Sequence, residues 1–222
     1  MSPHRWSRVC LAATLLLAAS VNLAHSASTA DDNVSRVQRS RNGAGLRVST
    51  WQPDHETGVP FGTVTTPVEG YMQKGLDRHL AWENTVGYWR RSRSWAQSAP
   101  LSGTTTYTDQ THFVPTLTAL KIYPLSAPKA PVEPNLMGGV GPVLAFEQDK
   151  TRDSFGVTNN ATAMHTGLGV KGGVGADVYA SEAFGLSLGA TFQSASFTES
   201  VDGQKLFRGW GADAGVVYRF QF

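Results

Sequence analysis

From Gly43 onward, apolar and polar positions alternate with the two-residue period of strands that have one buried and one polar face. The clearest stretch is 165–178, where His165, Gly167, Gly169, Lys171, Gly173, Gly175 and Asp177 interleave with Thr166, Leu168, Val170, Gly172, Val174, Ala176 and Val178. Leu186, Leu188, Ala190 and Phe192 alternate in the same way with Ser187, Thr191 and Gln193, and Trp210, Ala212, Ala214, Val216, Tyr218, Phe220 and Phe222 fill one parity of the last segment. Five further strands are predicted at roughly 44–52, 66–75, 80–90, 112–123 and 135–147, which brings the total to eight. In 112–123 hydropathy alone leaves the phase open. Lys121 decides it, because a lysine on a lipid-facing wall costs about 2–4 kcal/mol at mid-bilayer, so Val114, Thr116, Leu120 and Ile122 are assigned to the outside.

The connections carry a second signal. Long polar ones (53–65, 91–111, 148–164, 194–208) alternate with shorter ones (76–79, 124–134, 180–184). An up-and-down barrel has this asymmetry, with tight turns on one rim and extended loops on the other. The expected fold is therefore all-β, an eight-stranded antiparallel up-and-down transmembrane β-barrel, with both chain ends on the short-turn side. A soluble periplasmic β-sandwich or lipocalin-like barrel would show the same alternation with its apolar face turned inward. Periodicity cannot decide between the two; the glycine and charge on the polar parity, the asymmetric connections and the C-terminal ending favour the membrane barrel. The inward set is Arg47, Glu69, Glu83, Lys121, Glu147, Lys171, Asp177, Asp213 and Arg219. These make a poor dry ligand pocket, and their near balance of sign suggests a lumen filled by mutual ion pairing.

Composition adds the cellular context. Met1 to Ser26 has a basic start (Arg5, Arg8), an apolar run from Val9 to Ala19, and Ala24 and Ser26 at the −3 and −1 positions of an export cleavage site. Residues 1–26 are read as a signal peptide, 27–42 as a flexible polar leader and 43–222 as the barrel domain. A permanent membrane anchor is disfavoured, because the apolar run is short and Asn22 and His25 follow it. The formal charge of +2 comes from Arg5 and Arg8, so the exported part is neutral and has no electrostatic footprint for nucleic acid. The only cysteine, Cys10, lies in the signal.

An exported chain of eight alternating strands with this ending, Ala214-Gly-Val-Val-Tyr-Arg-Phe-Gln-Phe222, resembles the small Gram-negative outer-membrane β-barrel family of the OmpA transmembrane domain, OmpX and OmpW. VPTLTALKIYP (114–124) and LMGGVGPVLAF (136–146) look like mid-barrel strands of that group. The resemblance implies a bacterial outer-membrane location and outer-membrane lipid as the surroundings. It also implies recognition by the outer-membrane assembly machinery through Val216, Tyr218, Phe220 and Phe222. It transfers no catalytic residue and no cofactor.

Other constellations are weaker. Asp54-His55-Glu56 suggests a metal site only if adjacent loop residues converge on one ion, so they are read as solvated and no metal is expected. None of His55, His79, His112 and His165 lies in a local serine–histidine pattern of a lipid-modifying enzyme. Trp51, Tyr71, Trp82, Tyr88, Trp89, Tyr123, Tyr179 and Trp210 fall toward predicted strand ends, where amphipathic rings suit membrane interfaces, while some of them are read as ordinary packing. The expected role is a non-enzymatic, occluded barrel for structure or surface interaction, with a possible extracellular ligand through its loops. Passage of small hydrophobic compounds through a side opening ranks second, and a lipid-modifying enzyme third.

Overall fold

A computed structural model describes residues 41–51, 63–99, 103–125, 131–152, 155–156, 158–181 and 183–220. The expected signal peptide and nearly all of the leader, the Asp54-His55-Glu56 triplet and Phe222 lie outside the described residues. The strands are β1 (Gly43–Ser49), β2 (Thr63–Val64), β3 (Val68–Gly75), β4 (Leu80–Ala99), β5 (Gly103–Ile122), β6 (Val132–Arg152), β7 (Thr158–Tyr179), β8 (Phe184–Val201) and β9 (Gln204–Arg219). Every pairing is antiparallel. Eight of the nine strands close a ring in the order β1-β3-β4-β5-β6-β7-β8-β9, and the seam from Gly43↔Arg219 to Ser49↔Asp213 joins the first strand to the last. The fold is an eight-stranded antiparallel up-and-down barrel.

The short β2 continues the stave of β3. Val64 pairs with Arg91 and Val68 with Tyr88, so the β3 side has one residue more than β4 between these pairs. That extra residue is a bulge, and Pro67 sits in it, where a missing N–H interrupts no ladder bond. The main-chain oxygen of Pro67 still accepts from Ser49 N at 3.0 Å.

The strands are longer on one side than the sequence pattern suggested. Segments 91–111, 148–164 and 194–208, expected as loops, are mostly strand. β4 and β5 stay paired out to Ala99↔Gly103, β6 and β7 to Arg152↔Thr158, and β8 and β9 to Val201↔Gln204. In the last of these hairpins Asp202 (φ 48°) and Gly203 (φ 78°) are both left-handed, the geometry of a primed two-residue turn. The opposite rim carries the bends at 76–79 and 180–181 and the turn at 124–125, and there Asp77 Oδ1 accepts from the main-chain nitrogens of His79 and Leu80 at 2.5 and 2.8 Å. It is called the short-turn rim below, and the other the long-hairpin rim.

Candidate functional site

The wall separates two chemistries. Outward positions form a continuous apolar belt: Leu46 is 61% exposed, Val174 57% and Trp210 69%, alongside Val48, Leu136, Val140, Leu168, Leu186 and Val216. Rings mark both edges. Trp82 and the packed pair Phe184–Tyr218 lie toward the short turns, and Tyr88 and the packed pair Phe192–Trp210 toward the long hairpins. Val216 and Tyr218 face outward here, as half-exposed members of this belt.

Inside, the side chains stack in four layers. At the short-turn rim, Asp177 is the hub. It accepts from Lys121 Nζ (3.0 and 3.1 Å), Tyr123 Oη (2.9 Å), Tyr179 Oη (3.3 Å) and Asn135 Nδ2 (3.4 Å), with the Arg219 guanidinium at 3.7 Å. Arg219 also meets the Tyr179 hydroxyl, and lies 3.8 Å from Glu133. Arg41 closes the layer, paired with Glu133 at 3.0 Å, donating to the Arg78 carbonyl and stacked 3.6 Å over the Tyr123 ring.

The next layer up is a chain of alternating charge. Glu83 takes Arg47 at 2.7 Å, Arg47 reaches Glu69 at 3.7 Å, Glu69 accepts from Lys171 at 2.6 and 2.8 Å, and Lys171 lies 3.9 Å from Asp213. Arg47 also stacks on Tyr71. Every one of these charged groups is buried. Above them lies an aromatic and aliphatic layer of Trp51, Trp89, Phe113, Val143, Phe197, Val201 and Phe207, with Trp89 and Phe113 stacked at 3.7 Å. Trp51 Nε1 donates to the Gly209 carbonyl at 2.9 Å, which satisfies its one polar atom.

The fourth layer fills the long-hairpin mouth. Asp202 receives Arg91 at 3.2 Å and Arg93 at 2.8 Å, Arg93 pairs with Asp109 at 2.6 Å, and the Asp202 main-chain nitrogen donates to Glu147 at 3.1 Å. His165 lies between Glu147 (3.3 Å) and Glu199 (3.4 Å). Burial raises the pKa of Asp149, reinforced by the neighbouring Asp109 and Asp202 carboxylates. Burial also raises that of Asp202, and Arg91 and Arg93 offset part of the rise.

The residues assigned inward from the sequence therefore fall in more than one place. Lys121, Asp177 and Arg219 share the lowest layer, and Arg47, Glu69, Glu83, Lys171 and Asp213 the second. Glu147 is separated from both by the aromatic layer and belongs to the mouth. A lumen filled only by polar groups is corrected accordingly, because apolar rings occupy one full level of it. The aromatic assignment changes too: Trp51, Tyr71, Trp89, Tyr123 and Tyr179 are buried inside, and only Trp82, Tyr88 and Trp210 stand on the outer wall. Sequence reasoning missed Arg41, Glu133, Arg91, Arg93, Asp109 and Asp202, all of which fell in segments read as loop or leader. A usable signal existed, since Arg91 and Arg93 keep the odd parity of Glu83, Asp109 that of Lys121, and Glu133 that of Glu147. Among the described residues no group of three or more His, Asp or Glu is placed to hold a metal ion.

No family model and no curated protein matches the chain. Solved structures do. Neisserial surface protein A superposes with a TM-score of 0.51 at 12% identity, covering 81% of this chain and 97% of that one. Ail, the attachment invasion locus protein of Yersinia pestis, gives 0.51 at 10% identity, covering 82% of this chain and 100% of that one. Both neighbours are small Gram-negative outer-membrane barrels of eight strands, and at these identities the likeness is one of fold.

Proposed function

We propose that this chain is an integral outer-membrane barrel, non-enzymatic and closed to steady ion flow, whose long hairpins form a surface for structural or interaction roles. One observation carries the reading: the apolar belt faces out while the charged groups pair inside. A water-soluble barrel inverts that arrangement. In hydrocarbon every backbone polar group must be paired within the protein, and the closed β1–β9 seam does this. Occlusion follows from stacking two ion-paired layers, an aromatic layer and a third ion-paired layer in a lumen only wide enough for side chains. The name of the Yersinia pestis neighbour, an attachment invasion locus protein, supports surface interaction over transport.

The test has two readouts on one preparation. Outer-membrane fractionation with a heat-modifiability gel should show a folded barrel in the envelope, and planar bilayers should show no stable channel. A soluble periplasmic protein overturns the membrane assignment, and large steady conductance overturns occlusion.

A second reading has its own observation. The β5–β6 ladder skips between Pro115↔Val143 and Thr118↔Val140, and the β4–β5 ladder between Val86↔Thr116 and Trp89↔Phe113. Pro115 and Pro142 supply no N–H there. Behind the gap lies a cavity of about 20 Å³ lined by Trp89, Pro115, Leu117, Val143 and Gly169, with room for one water. A side opening for small hydrophobic compounds would form at this place. Pro115→Val should then lower uptake of such a compound into proteoliposomes, and unchanged uptake removes the reading.

A further inference from the structure

The outer wall carries one pairing that the barrel does not resolve internally. Arg90 on β4 and His112 on β5 are direct cross-strand partners. Both project outward, because Trp89, Arg91, Thr111 and Phe113 on either side of them are buried in the lumen. A guanidinium directly opposite an imidazole on one face of a sheet receives no opposite charge from its cross-strand partner, the pairing that stabilises such sites. Among the described residues neither has an acid beside it. The hydrogen bonds of Arg90 run through its main chain to Thr65, with Arg90 N donating to Thr65 Oγ1 at 2.9 Å and the Arg90 carbonyl accepting from Thr65 N at 2.8 Å. Its guanidinium Nε is shielded from solvent and has no acceptor. His112 Nδ1 lies 2.8 Å from the Tyr88 hydroxyl, and a proton donated by Tyr88 leaves the ring proton on Nε2 as a second donor.

Position supplies the rest. The pair sits at the edge of the apolar belt, one outward step beyond Tyr88, and the next pair along, Ser92↔Gln110, is polar. Resting on the membrane-barrel reading above, we propose that Arg90 and His112, with Tyr88 beside them, bind the phosphate of a membrane-lipid headgroup on the outer wall. A phosphate at this depth has its acyl chains along the belt and its oxygens against the guanidinium, which matches phosphate geometry with paired N–H donors. A lone carboxylate would satisfy the guanidinium alone, whereas a phosphate presents three oxygens and reaches both the guanidinium and the imidazole N–H.

The full chain in an uncharged maltoside detergent, with its folding checked by heat-modifiability, is titrated with dihexanoyl phosphatidic acid while the His112 imidazole resonances are followed. A saturable shift is expected, with affinity about tenfold weaker in Arg90→Gln, the loss of one charge-assisted contact. Arg208→Gln removes a cation from the outer wall elsewhere and should leave affinity unchanged. Equal weakening by both variants overturns the site in favour of general surface charge. Inorganic phosphate binding as tightly as the lipid, or dihexanoyl phosphatidylcholine binding as tightly as phosphatidic acid, overturns the lipid-phosphate assignment. A chain that folds and stays dispersed without detergent refutes the membrane reading instead, a different failure from a shift insensitive to Arg90.

Discussion

Asp177 illustrates why single charges matter so much in this interior. Its carboxylate gathers donors from Lys121, Tyr123, Tyr179 and Asn135, so an amide at the same position would turn an acceptor-only group into one that presents its own N–H to cations. Asp177→Asn should therefore lower the free energy of unfolding from lipid vesicles by roughly 3–5 kcal/mol, the cost of stranding a buried partner charge. Glu199→Gln, at a side chain open to water, should change it by less than about 0.5 kcal/mol. Urea titration read by tryptophan fluorescence makes the comparison, and equal midpoints for the two variants would contradict it. Gly45 sets a steric limit of the same kind. A Cβ there would lie 2.4 Å from both the Tyr71 ring and the Val216 carbonyl, so Gly45→Ala should also destabilise the barrel in the same titration. Such charges were legible from parity alone where the strand was legible, Lys171 and Asp177 in 165–178 being the clearest cases. Trp51 and Trp89 were not, because a ring at a strand end suits a lipid interface and a packed lumen equally well, and only the neighbours across the barrel decide.

The hairpins explain what hydropathy could not locate. A strand that rises beyond the apolar belt has water on its outer face, so both parities turn polar and the two-residue signal fades. Segments 91–111 and 148–164 lose it in that way although they stay paired almost to their tips. Val201-Asp202-Gly203-Gln204 was legible by another route, since Asp-Gly between extended segments is a strong short-range hairpin signature. Gly203→Val, which places a β-branched residue at φ 78°, should loosen this hairpin and with it the Asp202 contacts to Arg91 and Arg93. Faster proteolytic cleavage near 202 in intact vesicles is the expected result. Burial and carboxylate crowding in the mouth, which outweigh those arginines, give it a pH dependence. Asp149 and Asp202 have raised pKa values in the folded protein, so the folded state keeps protons there that the unfolded chain has released. Their contribution to stability is thus present below the ordinary carboxylate pKa and is lost as pH rises through the raised folded values. The long hairpins should resist protease better at pH 5 than at pH 7.5, with rates normalised to an unfolded substrate. Asp149→Asn should narrow that difference.

Orientation is set by how many strands close the ring. Eight staves return the chain to the rim it started from, so β1 begins and β9 ends beside the bends at 76–79 and 180–181, while the three long hairpins stand together on the opposite rim. Polar hairpins are translocated outward during barrel assembly, whereas tight turns stay on the side of entry. Two insertion points lie in exposed turns of opposite rims: Gly156, left-handed at φ 83° between β6 and β7, and Leu125, after the end of β5. Neither contributes to a ladder, so a short epitope at either should leave the strand pairings intact. On intact cells, antibody should reach the epitope after Gly156 and not the one after Leu125. After the outer membrane is permeabilised it should reach both. The permeabilised sample guards against a misfolded insertion, because an epitope silent in both states reports loss of protein rather than orientation. Labelling after Leu125 on intact cells, with silence after Gly156, would mean that the barrel sits inverted. The ion-paired mouth of Arg91, Arg93, Asp109 and Asp202 would then face the periplasm, and the Arg90–His112 pair would lie against the inner leaflet.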